Sequence, residues 1–424
     1  MIHNLSDEEI VEFLKNDKVS RNVFLNSLLR IIINSPDGVI LDLDGKWGSG
    51  KTVIAKELSL INESSDSYDN LDEELLDEYR DDYSIFYYNA WENDQYDPSE
   101  SIVFQLINRY WGTREKIADK VLSLIPPFIS KTTTKLVGTE LLKVGNGYTK
   151  NLFEDVKVRN KRKDAAADIV SNVLEAINKK RILIIIDELD RCNPIFAVKL
   201  LEVIKHYFAD AHVKILFVTN NYQLSGIIEE YYGNKSSGYE YLDKTFDLAI
   251  EIPEISISDY INIYGNVDGQ DTREMVVEVA KYYKMSIREV ERLILLFKMS
   301  KQYLRSGVLH MRRGFNSSEY FAKHLLIPFI LGAKVKNIDD FVALVGWGVD
   351  GVEVIKEIYS GSSYAKEIVK RCNSSANMAF RVESLYSQFI TQDGKIDGEV
   401  EAGIKKLVAD MISLTGVLAN NINP

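Results

Sequence analysis

A chain of 424 residues, 46% apolar and 27% charged, has a globular composition and length enough for two or three domains. Its formal charge of −12 is local, because ten acidic residues and one arginine between Ile61 and Asp82 supply −9 of it. The remainder is therefore close to balanced, which excludes a basic nucleic-acid footprint without making the folded body strongly repulsive to one.

The segment Ile2–Ile33 reads as one or two amphipathic helices, with Phe24, Leu25, Leu28, Leu29 and Ile32 at helical spacing. After a turn at Ser35-Pro36-Asp37-Gly38, the apolar run Gly38–Asp44 (GVILDLD) suits a buried strand. A glycine-rich loop follows, and Thr52–Leu60 has a helical pattern. The acidic stretch Asn62–Asp82 reads as a solvated loop or a marginal helix. Ser84–Asn89 (SIFYYN) is strand-like, and Ser101–Tyr110 helical. From about Thr113 to Lys163 the period blurs into an insertion with helical pieces, and Asp164–Lys179 is helical again. Three further strands are expected at Ile182–Asp187 (ILIIID), Lys214–Thr219 (KILFVT) and Phe246–Ile252 (FDLAIEI). Strands separated by helices predict an α/β fold, a parallel sheet covered on both faces. From Ser256 onward the chain reads as helical, with breaks near Gly265–Gly269, Gly314–Ser318, Gly361–Ser363 and Gln392–Gly398.

The loop Gly45-Lys46-Trp47-Gly48-Ser49-Gly50-Lys51-Thr52 matches G-x-x-x-x-G-K-[ST], with a strand before it and a helix after it. Glycines at these positions let backbone N–H groups converge on phosphates, and the helix N-terminus adds its positive dipole end. Lys51 would bring an ammonium between the β- and γ-phosphates, and the Thr52 hydroxyl would be a Mg²⁺ ligand. A chance glycine-rich turn is the plain alternative, and the second half-site weakens it. There, five aliphatic residues lead into Asp187 and Glu188 (RILIIIDELD). An acid ending such a strand holds Mg²⁺, and the neighbouring Glu188 polarises the attacking water. Asp190 is either a second acid or a helix cap, and Arg191 either structural or catalytic. At the end of the following strand Asn220, with Thr219 second, would sit between the two half-sites and touch the water or γ-phosphate; an ordinary Asn220-Asn221 turn is the competing reading.

Taken together, G-x-W-G-S-G-K-T with Trp47 inside the loop, the strand ending Asn89-Ala90-Trp91 and the segment Ile186–Cys192 (IDELDRC) resemble the KAP family of P-loop NTPases. Tyr241-Leu242-Asp243-Lys244 and Ser286–Arg292 (SIREVER) are similar to that family's corresponding segments. The resemblance covers roughly Ile31 to Leu295. It implies a sheet of order 5-1-4-3-2, giving a P-loop NTPase domain over residues 1–255 with N-terminal helices and an insertion at about 113–163. An α-helical lid would follow over 256–330, and the helical pattern beyond the resemblance gives a C-terminal helical domain over 331–424. The resemblance also implies Arg288 as a sensor arginine reaching the γ-phosphate from the lid; a surface charge paired with Glu289 or Glu291 is the alternative. Two departures stand out. Many family members carry transmembrane helices between the nucleotide motifs, whereas this insertion is polar with a basic run at Lys157–Lys163, and DELD stands where two aspartates are more usual.

The cofactors implied are ATP and Mg²⁺, since no N-K-x-D guanine-reading motif follows Asn220. The expected activity is a Mg²⁺-dependent ATPase working as a nucleotide-driven switch or regulator. The family's soluble bacterial members add a role in defence against phage or mobile DNA, a homo-oligomer with sites at subunit interfaces, and a partner or effector encoded nearby. Two other readings stay open: a nucleotide-gated scaffold with little turnover, and a DNA-stimulated ATPase, which the acidic balance disfavours. The Lys157–Lys163 run reads as a solvated face, and Trp91, Tyr96, Phe104, Tyr110 and Trp111 as packing residues. Two cysteines, Cys192 and Cys372, without zinc spacing fit a reducing cytoplasm. The acidic start from Met1 to Leu14 is no secretory leader, and no apolar run reaches the ~20 residues of a membrane span.

Overall fold

The computed structural model describes residues 6–17, 21–110, 155–208, 212–233, 237–253, 256–264, 270–305, 320–346, 349–372 and 378–387. Most of the expected insertion at 113–163, and the expected breaks at Gly265–Gly269, Gly314–Ser318 and Gln392–Gly398, lie outside these residues. The chain divides into two compact units, Met1–Glu254 and Ile255–Pro424.

The first unit is built on five parallel strands: β1 (Ile40–Asp44), β2 (Tyr83–Asn89), β3 (Arg181–Asp187), β4 (Val213–Thr219) and β5 (Leu248–Glu251). Their order across the sheet is β5-β1-β4-β3-β2, as the family resemblance implies. The aliphatic runs of β3 and β4 are central and buried on both faces, which is why they lack polar alternation. Successive side chains go to opposite faces. Leu183 and Ile185 join one core with Leu41, Leu43, Leu216 and Val218, while Ile182, Ile184 and Ile186 join the other with Ile40, Ile215 and Phe217.

Helices α1 (Asp7–Lys15), α2 (Asn22–Asn34), α3 (Lys51–Glu63) and α4 (Glu73–Asp82) cover the first face. The opposite face is covered by α5 (Pro98–Tyr110), α6 (Asp155–Ile177), α7 (Pro194–Val203) and α8 (Asn221–Tyr232). Helix α1 opens with a capping box between Ser6 and Glu9, and α7 with an Asn193 cap followed by Pro194 at the first helical position. Half of the acidic stretch is a genuine helix: Leu75, Leu76 and Tyr79 of α4 are buried, so tertiary packing outweighs its charge. At the N-terminal end of β4, the buried Lys214 ammonium donates to the carbonyls of Ile32, Ile33 and Ser35 at 2.6, 2.9 and 2.6 Å. It thereby satisfies the unpaired carbonyls that close α2.

A short helix α9 (Gly238–Asp243) precedes β5. The second unit is helical throughout its described residues: α10 (Ile257–Tyr264), α11 (Gln270–Tyr282), α12 (Ile287–Arg305), α13 (Ile327–Lys336), α14 (Ile338–Gly346), α15 (Val349–Gly361), α16 (Ser363–Cys372) and α17 (Met378–Ser387). Helix α13 approaches α11 closely at Gly332, where an added Cβ would lie 2.3 Å from Val279 Cγ1. The expected break at Gly361–Ser363 falls between α15 and α16.

Candidate functional site

The C-terminal ends of β1, β4 and β3 are in register, Asp44 opposite Thr219 and Val218 opposite Asp187. This places the loop that follows β1 and the acids that end β3 at one edge of the sheet, where ligands bind in open α/β folds. In the loop, Gly48 and Gly50 have φ of +86° and +87°, a conformation that glycine adopts without strain. Gly50 is the N-cap of α3, and Lys51 is its first residue. Lys51 is buried, its Nζ turned back to donate to the carbonyls of Gly45 and Lys46 at 2.5 and 3.3 Å. Burial lowers its pKa, while Asp190, Asp187 and Asp44 act to keep the ammonium.

Asp187 is 1% exposed. Tyr87 donates its hydroxyl to Oδ2 at 2.8 Å and the Glu188 N–H donates to Oδ1 at 2.8 Å, and the Thr52 hydroxyl also favours the charged form. Burial still pushes the carboxyl above its usual range, because these donors only partly replace water and Glu188 adds a second negative charge. A divalent cation would supply the compensation that is lacking. Glu188 itself is in the left-handed region, φ 61°. Its carboxylate accepts from Asn89 at 3.4 Å and pairs with Arg191 at 3.0 Å, and the Arg191 guanidinium lies over the Trp91 ring at 5.5 Å. Asp190 is buried and accepts from the Trp47 indole at 2.8 Å.

Behind the loop, Asp42 interrupts the aliphatic pattern of β1 and is fully buried. Thr219 Oγ1 and Asn221 Nδ2 each lie 2.7 Å from its carboxylate oxygens, and the Asn221 N–H donates to Asp44 at 2.9 Å. Burial raises the Asp42 pKa to about 7 against these two hydrogen bonds. The end of β4 is thus bonded to the strand that carries the loop. Asn220 stands at that end and its side chain caps α8, accepting from the Gln223 N–H at 3.4 Å.

The fold therefore brings together Gly45, Lys46, Trp47, Gly48, Ser49, Gly50, Lys51 and Thr52 with Asp187 and Glu188. Arg288 belongs to the second unit, on the first turn of α12. Tyr87, Asp42 and Arg21 stand outside the sequence motifs, Asn221 enters the sequence only as half of a turn, and Asn89 only through the family resemblance. An acid in the middle of ILDLD was a signal that a buried partner had to exist; the others needed the strand register.

A nucleotide phosphate and Mg²⁺ fit these residues. Ser49 Oγ is buried without a hydrogen-bond partner inside the loop, and the Lys51 ammonium donates to the loop's own carbonyls. Among the described residues, no cluster of three or more His, Cys, Asp or Glu could cage a metal. Mg²⁺ at phosphate sites needs no such cage, taking one or two carboxylates together with phosphate and water oxygens. Also among the described residues, no helix is long and apolar enough to cross a membrane.

Comparison with curated proteins finds no match. A family model described as the KAP family P-loop domain matches residues 21–304, well over half of the chain. With the sheet order, the phosphate loop and the acids of β3 in place, that match is decisive, and the chain belongs to the KAP family of P-loop NTPases.

Proposed function

We propose that the chain binds Mg-ATP at the sheet edge and hydrolyses it, using the nucleotide cycle as a switch. The observation that carries this reading is the placement of the glycine-rich loop and the buried Asp187 at the same edge of the sheet, with Thr52 in the first turn of α3 and β1, β4 and β3 ending in register; Thr52 and Asp187 are the two side chains proposed to share Mg²⁺. The loop Gly45–Thr52 cradles the phosphates with its amides, and Lys51 swings from the Gly45 carbonyl to the β- and γ-phosphates. Mg²⁺ at Thr52 and Asp187 would neutralise charge that develops on the phosphates. Glu188 polarises the attacking water, Asn220 contacts that water or the γ-phosphate, and Arg288 reads the phosphate from the lid. In this reading the second unit comprises a lid (256–330) and a C-terminal helical domain (331–424) that hydrolysis moves. A homo-oligomer, a protein partner and a cytoplasmic role in defence against phage or mobile DNA complete it, and these rest on family membership rather than on the site. Calorimetry with Mg-ATP and steady-state turnover with and without DNA test it; absence of binding defeats it.

One observation favours a second reading, a nucleotide-gated scaffold with little turnover. The Glu188 carboxylate is engaged by Arg191 and Asn89, so the base is held until something displaces those partners. Tight binding with near-zero turnover that no partner rescues would select the scaffold.

A further inference from the structure

The phosphate loop is braced by a side chain that no motif contains. Arg21 immediately precedes α2 and is 8% exposed. Its Nη2 donates to the Ser49 carbonyl oxygen at 3.0 Å. The guanidinium also lies directly on Gly50: a Cβ added there would stand 2.6 Å from Nη2, 3.0 Å from Nη1 and 3.2 Å from Cζ. Gly50 is therefore required for this contact as well as for its positive φ. Two turns along α3, Glu57 is buried with Oε2 lacking any hydrogen-bond partner. Burial pushes its carboxyl up to about 7, the charge of Arg21 acts against that rise, and Asp17 adds to it.

We infer that Arg21 is a positioning residue of the phosphate loop, gripping the Ser49–Gly50 peptide in the orientation that receives a triphosphate. In a trans peptide the C=O and N–H point in opposite directions. With the Ser49 carbonyl drawn to a cation, the Gly50 N–H is directed away from it, toward the side where an anion is welcome. A flipped peptide would offer a carbonyl oxygen to the phosphates and repel them. The grip is charge-assisted and nearly water-free, conditions under which such bonds are strongest. Lysine is a poor substitute, because it has no flat face to lay on Gly50.

This inference rests on the nucleotide reading of the loop, and its test separates the two. Arg21→Ala and Arg21→Lys are compared with wild type by amide hydrogen exchange over residues 46–53 without nucleotide, and by calorimetry with Mg-ATP. In Arg21→Ala, loop exchange is expected to quicken and the Kd to rise about tenfold or more, while turnover at saturation stays within about twofold. Arg21→Lys falls between the two. Unchanged exchange and affinity in a folded Arg21→Ala protein overturn the inference, as does a loss of kcat at unchanged Kd. Should Arg21→Ala fail to fold, Arg21→Lys and Arg21→Gln decide, and wild-type exchange and affinity in both overturn it. A wild-type protein that binds no Mg-ATP defeats the nucleotide reading instead, and the exchange measurement still decides the role of Arg21.

Discussion

Trp47 and Asp190, 143 positions apart in sequence, are joined by an indole N–H bond of 2.8 Å to Oδ2. This bond ties the phosphate loop to the turn after β3, so each half of the site holds the other in place. Trp47 is 46% exposed, so a hydrogen bond rather than burial keeps its ring there. Trp47→Phe preserves the ring but leaves a buried carboxylate short of a donor, and urea unfolding should show a loss of about 1–3 kcal/mol. Mg-ATP affinity should fall with it. An unchanged midpoint and Kd would mean the bond is not maintained in solution.

Lys51 lies among Asp190, Asp187 and Asp44, all of which favour its charge. Lys51→Ala removes the ammonium proposed to meet the phosphates, and with it the positive charge set against Asp190, Asp187 and Asp44. Calorimetry should detect no Mg-ATP binding, and affinity retained in a folded protein would remove the phosphate-loop assignment.

Glu188→Gln keeps the length of the side chain and its contacts with Asn89 but cannot accept a proton. Binding should persist while turnover falls by about 10²-fold or more. Normal turnover would transfer the base to another acid, with Asp190 next in line.

The pH dependence of stability follows from Asp42, whose pKa is raised from 3.8 to about 7 by burial, against hydrogen bonds from Thr219 and Asn221. Between those two values the folded state binds more protons than the unfolded state. Stability is therefore greatest at the acid side of this window, declines as pH rises through it, and levels off above about pH 7. Glu57, raised from 4.5 to about 7 by burial, acts in the same direction. Asp42→Asn removes one of the two charges, so it should flatten the slope in urea titrations and leave the protein about 2 kcal/mol more stable at alkaline pH than wild type. A parallel pH profile in the variant would show that Asp42 does not titrate in this range.

The parts of the molecule legible in the sequence are those whose signal is local. The run ILIIID announces a strand buried on both faces, and the loop from Gly45 to Thr52 carries its own spacing. Helix α4 was half hidden, because three buried apolar residues stand among seven polar or charged ones and its stability comes from the partners it packs on. Arg21 could not be read at all. Its partner is a backbone carbonyl 28 positions away, and backbone atoms leave no mark in a sequence. Tyr87 and Asn89 became visible only through the register that sets Asn89 opposite Asp187, which brings side chains of β2 to the acids of β3.

The sensor role proposed for Arg288 has its own test. Arg288→Ala should leave the Mg-ATP Kd within about threefold and lower turnover about tenfold or more, since a sensor acts on the transition state and on lid position. Limited proteolysis distinguishes it from the base. Glu188→Gln with Mg-ATP should accumulate the triphosphate-bound pattern, whereas Arg288→Ala should give the same cleavage pattern with and without nucleotide. Wild-type turnover and a wild-type proteolytic response would return Arg288 to the surface and leave the coupling between nucleotide and helices to another residue.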